Sequence, residues 1–437
     1  MTDKTQKTKR KRVLSGMRPT GRLHIGHYFG ALSNWLKMQE EYDCYFFVAD
    51  WHALTTHYAD SSQVASNTLE VATDWLAVGL DPAKATLFIQ SSVPEHAELH
   101  LLLSMITPLS WLERVPTYKE QIENLRDKDL GTYGFLGYPL LQGADIVMYG
   151  EPGCELLVPV GEDQAPHIEM TREIVRRFNT LFGLGFARKP TLDELREIFE
   201  RGRVSSLPIV TEVISTEPEQ LSLFLSLIRR RALEVGRENF LDSLGELREL
   251  FFVTDVLQQP DVILTETPRV PGTDGRRMAK SYGNGIWLSD TPEEIRKKAH
   301  NMMTDPQRVR RTDPGRPEVC PVFAYHNLFP VEKSAEDRAR IERVDRECRT
   351  AEIGCVDCKK LMADALVKWI EPVQARRREY EANPQRVWGI LEDGSKRAKR
   401  VAEQTMERVR KAVFNWEAAG RPGATIGAGK GKVAAEK

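Results

Sequence analysis

Apolar positions along the chain switch between two periods, and the switching predicts the architecture. Val13 and Leu14 open a short strand, and a helix follows in which Tyr28, Leu32, Trp35 and Leu36 share one face. CYFFVAD, residues 44–50, is a continuous apolar run of the kind found in strands buried on both faces. A second helix leads to TLFIQ, residues 86–90, a third such strand. Strand and helix in alternation predict an α/β fold on a Rossmann-like, doubly wound parallel sheet. Helical periodicity returns in LDELREIFERG and SLFLSLIRRRALEV, and it dominates from about residue 301 through KRVAEQTMERVRKAVFNW. Residues 1–12 are polar and basic, and residues 418–437 are rich in Gly, Ala and Lys. Both ends carry too little apolar surface to offset ordering entropy and are expected to be disordered tails.

In a doubly wound sheet, ligands bind where strands end and helices begin. RPTGRLHIGHYFGAL, residues 18–32, sits at such a place and sets His24 and His27 on either side of Gly26. A helix mouth offers unpaired N–H groups and about half a positive charge, and a glycine lets a ligand approach the backbone. The stretch therefore reads as a nucleotide cradle, although a histidine at a helix start also serves purely structural roles. Far along the chain, RVPGTDGRRMAKSYGN, residues 269–284, is a loop lined by Arg276, Arg277 and Lys280. Such a loop suits closure over a polyphosphate, where preorganised cations contribute several kcal/mol to stabilising a departing pyrophosphate. The same composition also describes an ordinary basic surface loop.

Composition narrows the class. At 437 residues and 41% hydrophobic content the chain is long enough for two or three domains. It has no apolar run of about 18 residues and no secretory-type start, so a soluble cytoplasmic enzyme with no membrane partner is expected. The formal net charge of −1 gives no global attraction to polyanions; only local patches such as KTKRKR, residues 7–12, offer it, and DNA is not expected as a partner. Four of the six cysteines, Cys320, Cys348, Cys355 and Cys358, fall in one region, the last three spaced C-x6-C-x2-C. In a reducing compartment that grouping points to metal ligands, for which zinc is one fit. Cys44 in a strand and Cys154 in a turn read as structural thiols.

His24-Ile25-Gly26-His27 matches the HIGH signature of class I aminoacyl-tRNA synthetases, and Arg277-Met278-Ala279-Lys280-Ser281 resembles their KMSKS loop. SGMRPTGRLHIGHYFGAL, FVADWHALTT, YPLLQGADIVMYG, VPVGEDQAPHIEMTREI and PGTDGRRMAKSYGN are similar, in that order, to the tryptophanyl-tRNA synthetase family over most of residues 13–180 and 262–365. The resemblance implies activation of L-tryptophan by ATP with Mg²⁺, then transfer to tRNA(Trp). It assigns the catalytic positions to His24, His27, Arg277 and Lys280. Arg18, Pro19, Thr20, Gly26, His27, Gly161, Glu162, Asp163, Val270 and the loop residues Arg277, Met278, Ala279, Lys280 and Ser281 would contact ATP. Tyr138, Gln142, Asp145 and Gln164 would contact tryptophan, with Asp145 the specificity residue because indole offers one donor and no acceptor. Outside that context, a lone Asp in an apolar stretch is an ordinary cap or turn residue. The chain departs from the family at Arg18, where Gln is common, at Gln142 for Met, at Arg277 for Lys and at Ala279 for Ser, changing hydrogen bonding at each.

EVCPVF and GCVDCKK resemble a bacterial subset that carries a C-terminal [4Fe-4S] cluster, which would make the four cysteines its ligands, with zinc as the alternative. The implied organisation is a catalytic domain in two parts, 13–183 and 261–300, split by an insertion of unreadable role at 184–260, and a helical anticodon-binding domain at 301–417. Within the last, RVRRTDPG, residues 308–315, and ARRREYEANPQRVW, residues 375–388, supply cations and aromatics for RNA. A homodimer is the family expectation. Two other readings share these features: a tyrosyl-tRNA synthetase, and a redox-responsive iron-sulfur tRNA-binding protein with a vestigial synthetase site.

Overall fold

The computed structural model describes residues 10–115, 131–161, 165–204, 218–265 and 268–415. Seven strands lie among them: β1 (Arg10–Met17), β2 (Asp43–Val48), β3 (Ala85–Ile89), β4 (Cys154–Val160), β5 (Leu184–Phe186), β6 (Phe251–Val253) and β7 (Asp261–Leu264). Five form one sheet in the order β3-β2-β1-β4-β7, with every neighbouring pair parallel. The order reverses between β1 and β4, so the crevice at their carboxyl ends is the switch point where a doubly wound sheet binds its ligand.

Alternation along each strand feeds two cores. Val13, Cys44, Phe46, Val48, Leu87 and Leu157 pack into one. Leu14, Tyr45, Phe47, Phe88, Leu156 and Val158 pack into the other. This two-sided burial is why the strands read as continuous apolar runs. The first strand begins at Arg10, inside the segment expected to be a tail. Arg12 is buried there, donating to Tyr149 O at 2.7 Å, Asp43 at 2.9 Å and Glu151 at 2.9 Å. Three of the five cations in the basic patch, Arg10, Lys11 and Arg12, are thus paired with Asp43, Glu151 and Glu155 of the sheet region.

The C-terminal helices do not stand apart from the sheet. Met362, Leu366, Ile370, Val387 and Leu391 join the first core, and Ala398, Ala402, Met406 and Val409 of the helix Pro384–Phe414 join the second. That helix covers the open edge of β3. A Cβ on Gly394 would meet Leu87 O at 1.7 Å, and the edge groups are satisfied by side chains, Ser395 Oγ accepting from Ile89 N–H at 3.3 Å and Arg397 donating to Ala85 O at 3.3 Å. Covering an edge in this way removes a template for unwanted strand pairing. Between β4 and β7, the antiparallel pair β5-β6 and the helices Leu192–Arg201, Pro218–Val235 and Arg237–Ser243 close a small core of their own around Ile198, Phe224, Ile228 and Phe240.

Candidate active site

The chain leaves β1 and winds one α turn, Ile25–His27, passes through π geometry over Tyr28–Leu32 and resumes α over Ser33–Met38. The pattern alone predicted one regular helix. The wider turn lets neighbouring Tyr28 and Phe29 both enter the core, onto Trp369 with ring centroids 4.8 Å apart and Phe329 at 5.5 Å. At the start of this element the backbone N–H of His24 donates to His27 Nδ1 at 3.1 Å, leaving the His27 proton on Nε2. The rings lie 3.7 Å apart, and His24 Nδ1 is buried without a hydrogen-bond partner. Burial and the nearby Lys280 charge lower His24 to about 4; burial, His24 and Lys280 lower His27 to about 3. Both imidazoles are therefore neutral near pH 7 and offer N–H donors instead of charge. A Cβ on Gly26 would crowd the His24 ring at 2.9 Å, so the glycine keeps the pair in place.

The cationic loop converges on the same spot. Lys280 Nζ donates to Thr20 O and Gly21 O at 2.8 Å and to Thr20 Oγ1 at 3.1 Å, across 259 and 260 residues of chain. Burial lowers the lysine to about 8, with Arg22 adding to the effect and Asp74 opposing it. The loop itself is tied around buried Asn284, which accepts from Ala279 N–H at 2.9 Å and donates to Asp274 at 2.8 Å and to Arg277 O at 3.1 Å. Its three cations are not equivalent. Arg276 pairs with Asp274 at 2.7 Å and lies over the Tyr282 ring, Arg277 is exposed, and Lys280 reaches the Thr20–Gly21 turn. Val270 and Met278 are buried in the first core, Met278 Sδ lying 3.6 Å from the Cβ position of Gly26, and Ser281 is exposed.

Beside this cradle, a cavity of about 410 Å³ opens at the carboxyl ends of β1 and β4. Arg18, Gly161, Tyr138, Gln142 and Asp145 line it, together with His52. His24, His27 and Lys280 are outside that lining, and Glu162, Asp163 and Gln164 fall outside the described residues. Arg18 is lowered by desolvation in the cleft, opposed by Tyr138. Tyr138 shares a hydrogen bond with His167 Nε2 at 3.2 Å. Asp145 is almost wholly buried and is the hub of a network no local pattern announced. It accepts from His52 Nε2 at 2.8 Å, His96 Nδ1 at 2.6 Å and Gln90 Nε2 at 2.8 and 2.9 Å. Burial raises its pKa, but the two histidine hydrogen bonds outweigh it and hold the carboxylate ionised, at about 2. The carboxylate is thus a buried, ionised acceptor in the wall of a cavity whose lining mixes polar and apolar groups.

The sequence matches the family described as tRNA synthetases class I (W and Y) over residues 6–201 and 230–371. The chain belongs to this class I synthetase family. The tryptophan–tRNA ligase of Ralstonia nicotianae is 48% identical over 409 residues, covering 92% of this chain and 98% of that one. The tryptophan–tRNA ligase of Thermotoga maritima is 43% identical, again over 92% and 98%. The crystal structure of tryptophanyl-tRNA synthetase from Campylobacter jejuni complexed with ADP and tryptophan shares the fold, with a TM-score of 0.66 at 24% identity and coverage of 94% of this chain and 100% of that one. In this class I synthetase the two signature segments therefore meet at the switch point of the sheet.

The four cysteines meet more loosely. Cys320 precedes the helix Pro321–Leu328, Cys348 lies in Ala335–Arg349, and Cys355 and Cys358 open Cys355–Glu381; all are free thiols. Burial, then the charges of Cys320, Cys348 and Cys355, push the Cys358 thiol up to about 12. Arg308 lies 3.6 Å from Cys348 Sγ and His326 Nε2 lies 3.4 Å from Cys358 Sγ. Among the described residues no three of His, Cys, Asp or Glu stand together as ligands of a metal ion. Much of the expected RNA-facing charge is also turned inward. Arg308 donates to Ile353 O at 2.8 Å, Arg376 to Ala77 O at 2.6 Å, and Arg377 is buried among carboxylates, leaving Arg310, Arg311, Arg378 and Arg386 exposed.

Proposed function

We propose that the protein is a tryptophan–tRNA ligase, which activates L-tryptophan with ATP and passes the aminoacyl group to tRNA(Trp). The observation that carries the reading is Lys280 reaching Thr20 and Gly21 beside the neutral imidazoles, next to a pocket that ends in ionised Asp145. The tryptophan carboxylate attacks the α-phosphate, and pyrophosphate leaves toward His24, His27, Arg277 and Lys280. The chain holds the reactants in line and neutralises charge; it supplies no nucleophile. Mg²⁺ enters with ATP and shares that neutralisation. Arg18, Pro19, Thr20, Gly26, Gly161, Glu162, Asp163, Val270, Met278, Ala279 and Ser281 complete the nucleotide contacts, and Tyr138, Gln142 and Gln164 hold the amino acid around Asp145. Pyrophosphate exchange measured with each amino acid tests this: exchange should require tryptophan, and exchange driven by tyrosine, or by none, overturns it.

The four cysteines are read as ligands of a [4Fe-4S] cluster, with zinc as the alternative. The surroundings fit an anionic sulfur group: the Arg308 guanidinium stands against Cys348, and a Cβ on Gly315 would strike Cys348 Sγ at 2.4 Å, so only glycine leaves that sulfur room. When bound, such a group would displace the four thiol protons and tie three helices together. Cytoplasmic residence and a homodimer complete the reading. No described helix is long and apolar enough to cross a membrane, and exposed Leu101, Met105, Leu109 and Tyr133 offer a dimer contact.

A further inference from the structure

The segments bearing the imidazole pair and following the cationic loop run side by side. His24 bridges Trp287, Ile25 N–H donates to Ile286 O at 3.0 Å, and Leu288 N–H donates to Leu23 O at 2.9 Å. Each segment is anchored by one carboxylate. Asp74, fully buried in the helix Val64–Val78, accepts from Leu23 N–H at 2.8 Å. Asp290 accepts from Trp287 N–H at 2.8 Å.

One turn of the helix Cys355–Glu381 grips both anchors. Arg377 donates to Asp74, and to Glu70 at 2.7 Å, while Gln374 donates to the backbone carbonyl of Asp290. Residues three apart share a helix face, so a single rigid surface sets both halves of the cradle. A buried ion pair adds little net stability over well-packed apolar residues, whereas it does fix the direction of its donors. Burial raises Asp74 to about 6, while Arg377 and the Leu23 N–H favour its charged form.

We propose that Gln374 and Arg377 are positioning residues for the ATP step, a brace that fixes the spacing between the His24–His27 turn and the Lys280 loop. The inference rests on the synthetase reading above and extends it to how the nucleotide cradle keeps its shape. Neither residue touches substrate; both act through Asp74 and Asp290.

The test is steady-state pyrophosphate exchange on the full chain with tryptophan, comparing wild type, Gln374→Leu, Arg377→Lys, and Asp74→Asn combined with Arg377→Gln. The leucine is close in volume, and the double variant rebuilds the buried pair without charge, so both are chosen to fold. Loss of one such hydrogen bond should raise the KM for ATP by about tenfold and leave the KM for tryptophan within about twofold; Arg377→Lys should recover part of the double variant's loss. Unchanged KM for ATP in all variants overturns the brace, as does a fall in kcat with both KM values unmoved, which is the mark of a merely structural role. Binding of a fluorescent ATP analogue, titrated without amino acid, reads the same variants. If wild type exchanges no tryptophan but the variants bind the analogue about tenfold more weakly, the functional reading has failed and the brace stands.

Discussion

The head of the sheet and the four-cysteine region are built on opposite rules. Around Asp145 the chain supplies its own partners, His52, His96 and Gln90, and around Lys280 it supplies Thr20 and Gly21. The shape and charge states of that site are set by hydrogen bonds within the chain. Around Cys358 the chain gathers three half-buried thiols, and burial followed by their charges pushes the Cys358 thiol up. Arg308, against Cys348, is the cation that favours a thiolate there, and it does not offset the burial of Cys358.

The largest expected effect lies on the cysteine side. On the cluster proposal, anaerobically purified wild type should be brown with iron and sulfide in equal amounts, and Cys358→Ser should abolish both; a colourless wild type containing zinc breaks the cluster half of the comparison. Next comes Lys280→Ala, which removes a preorganised cation and should lower kcat/KM in exchange by about 10²–10³. Asp145→Asn should lower kcat/KM for tryptophan by roughly 10- to 100-fold with the KM for ATP unchanged. Asp145→Ala is the poorer probe, since it strips the partner from buried His96 and Gln90 at about 1–3 kcal/mol each; thermal unfolding should distinguish the two variants.

A pH profile gives a smaller, directional effect. His24 and His27 stay neutral as pH falls through 6.5, because their values lie near 4 and 3, so exchange should hold steady there. Stability moves differently: these depressed values mean the unfolded chain binds protons first, so stability is present above about 6.5 and is lost as pH falls. Lys280, lowered to about 8, loses its charge as pH rises, so kcat/KM for ATP should fall above pH 8. The smallest effect belongs to Arg276→Ala, less than about twofold, because Asp274 and Tyr282 already occupy this exposed side chain.

What could be read in the sequence was what is local. Strands buried on both faces announce themselves as apolar runs, and the imidazole and lysine segments are compact signatures. The partners of Asp145 were out of reach, because His52, His96 and Gln90 arrive from 93, 49 and 55 residues away. Arg377 was legible and misread. Ile370, Val373, Gln374 and Arg377 follow helical spacing on a buried face, yet the ARRRE run drew attention to charge and away from period. Gly394 likewise marks a helix pressed onto a strand edge, a close approach that no run of hydrophobic positions encodes.

A crystal structure with a non-hydrolysable ATP analogue and tryptophan tests the central claim most directly. The account predicts the triphosphate between the His24–His27 pair and Lys280, with the indole N–H on Asp145. A triphosphate bound elsewhere, or an indole turned away from Asp145, would contradict it.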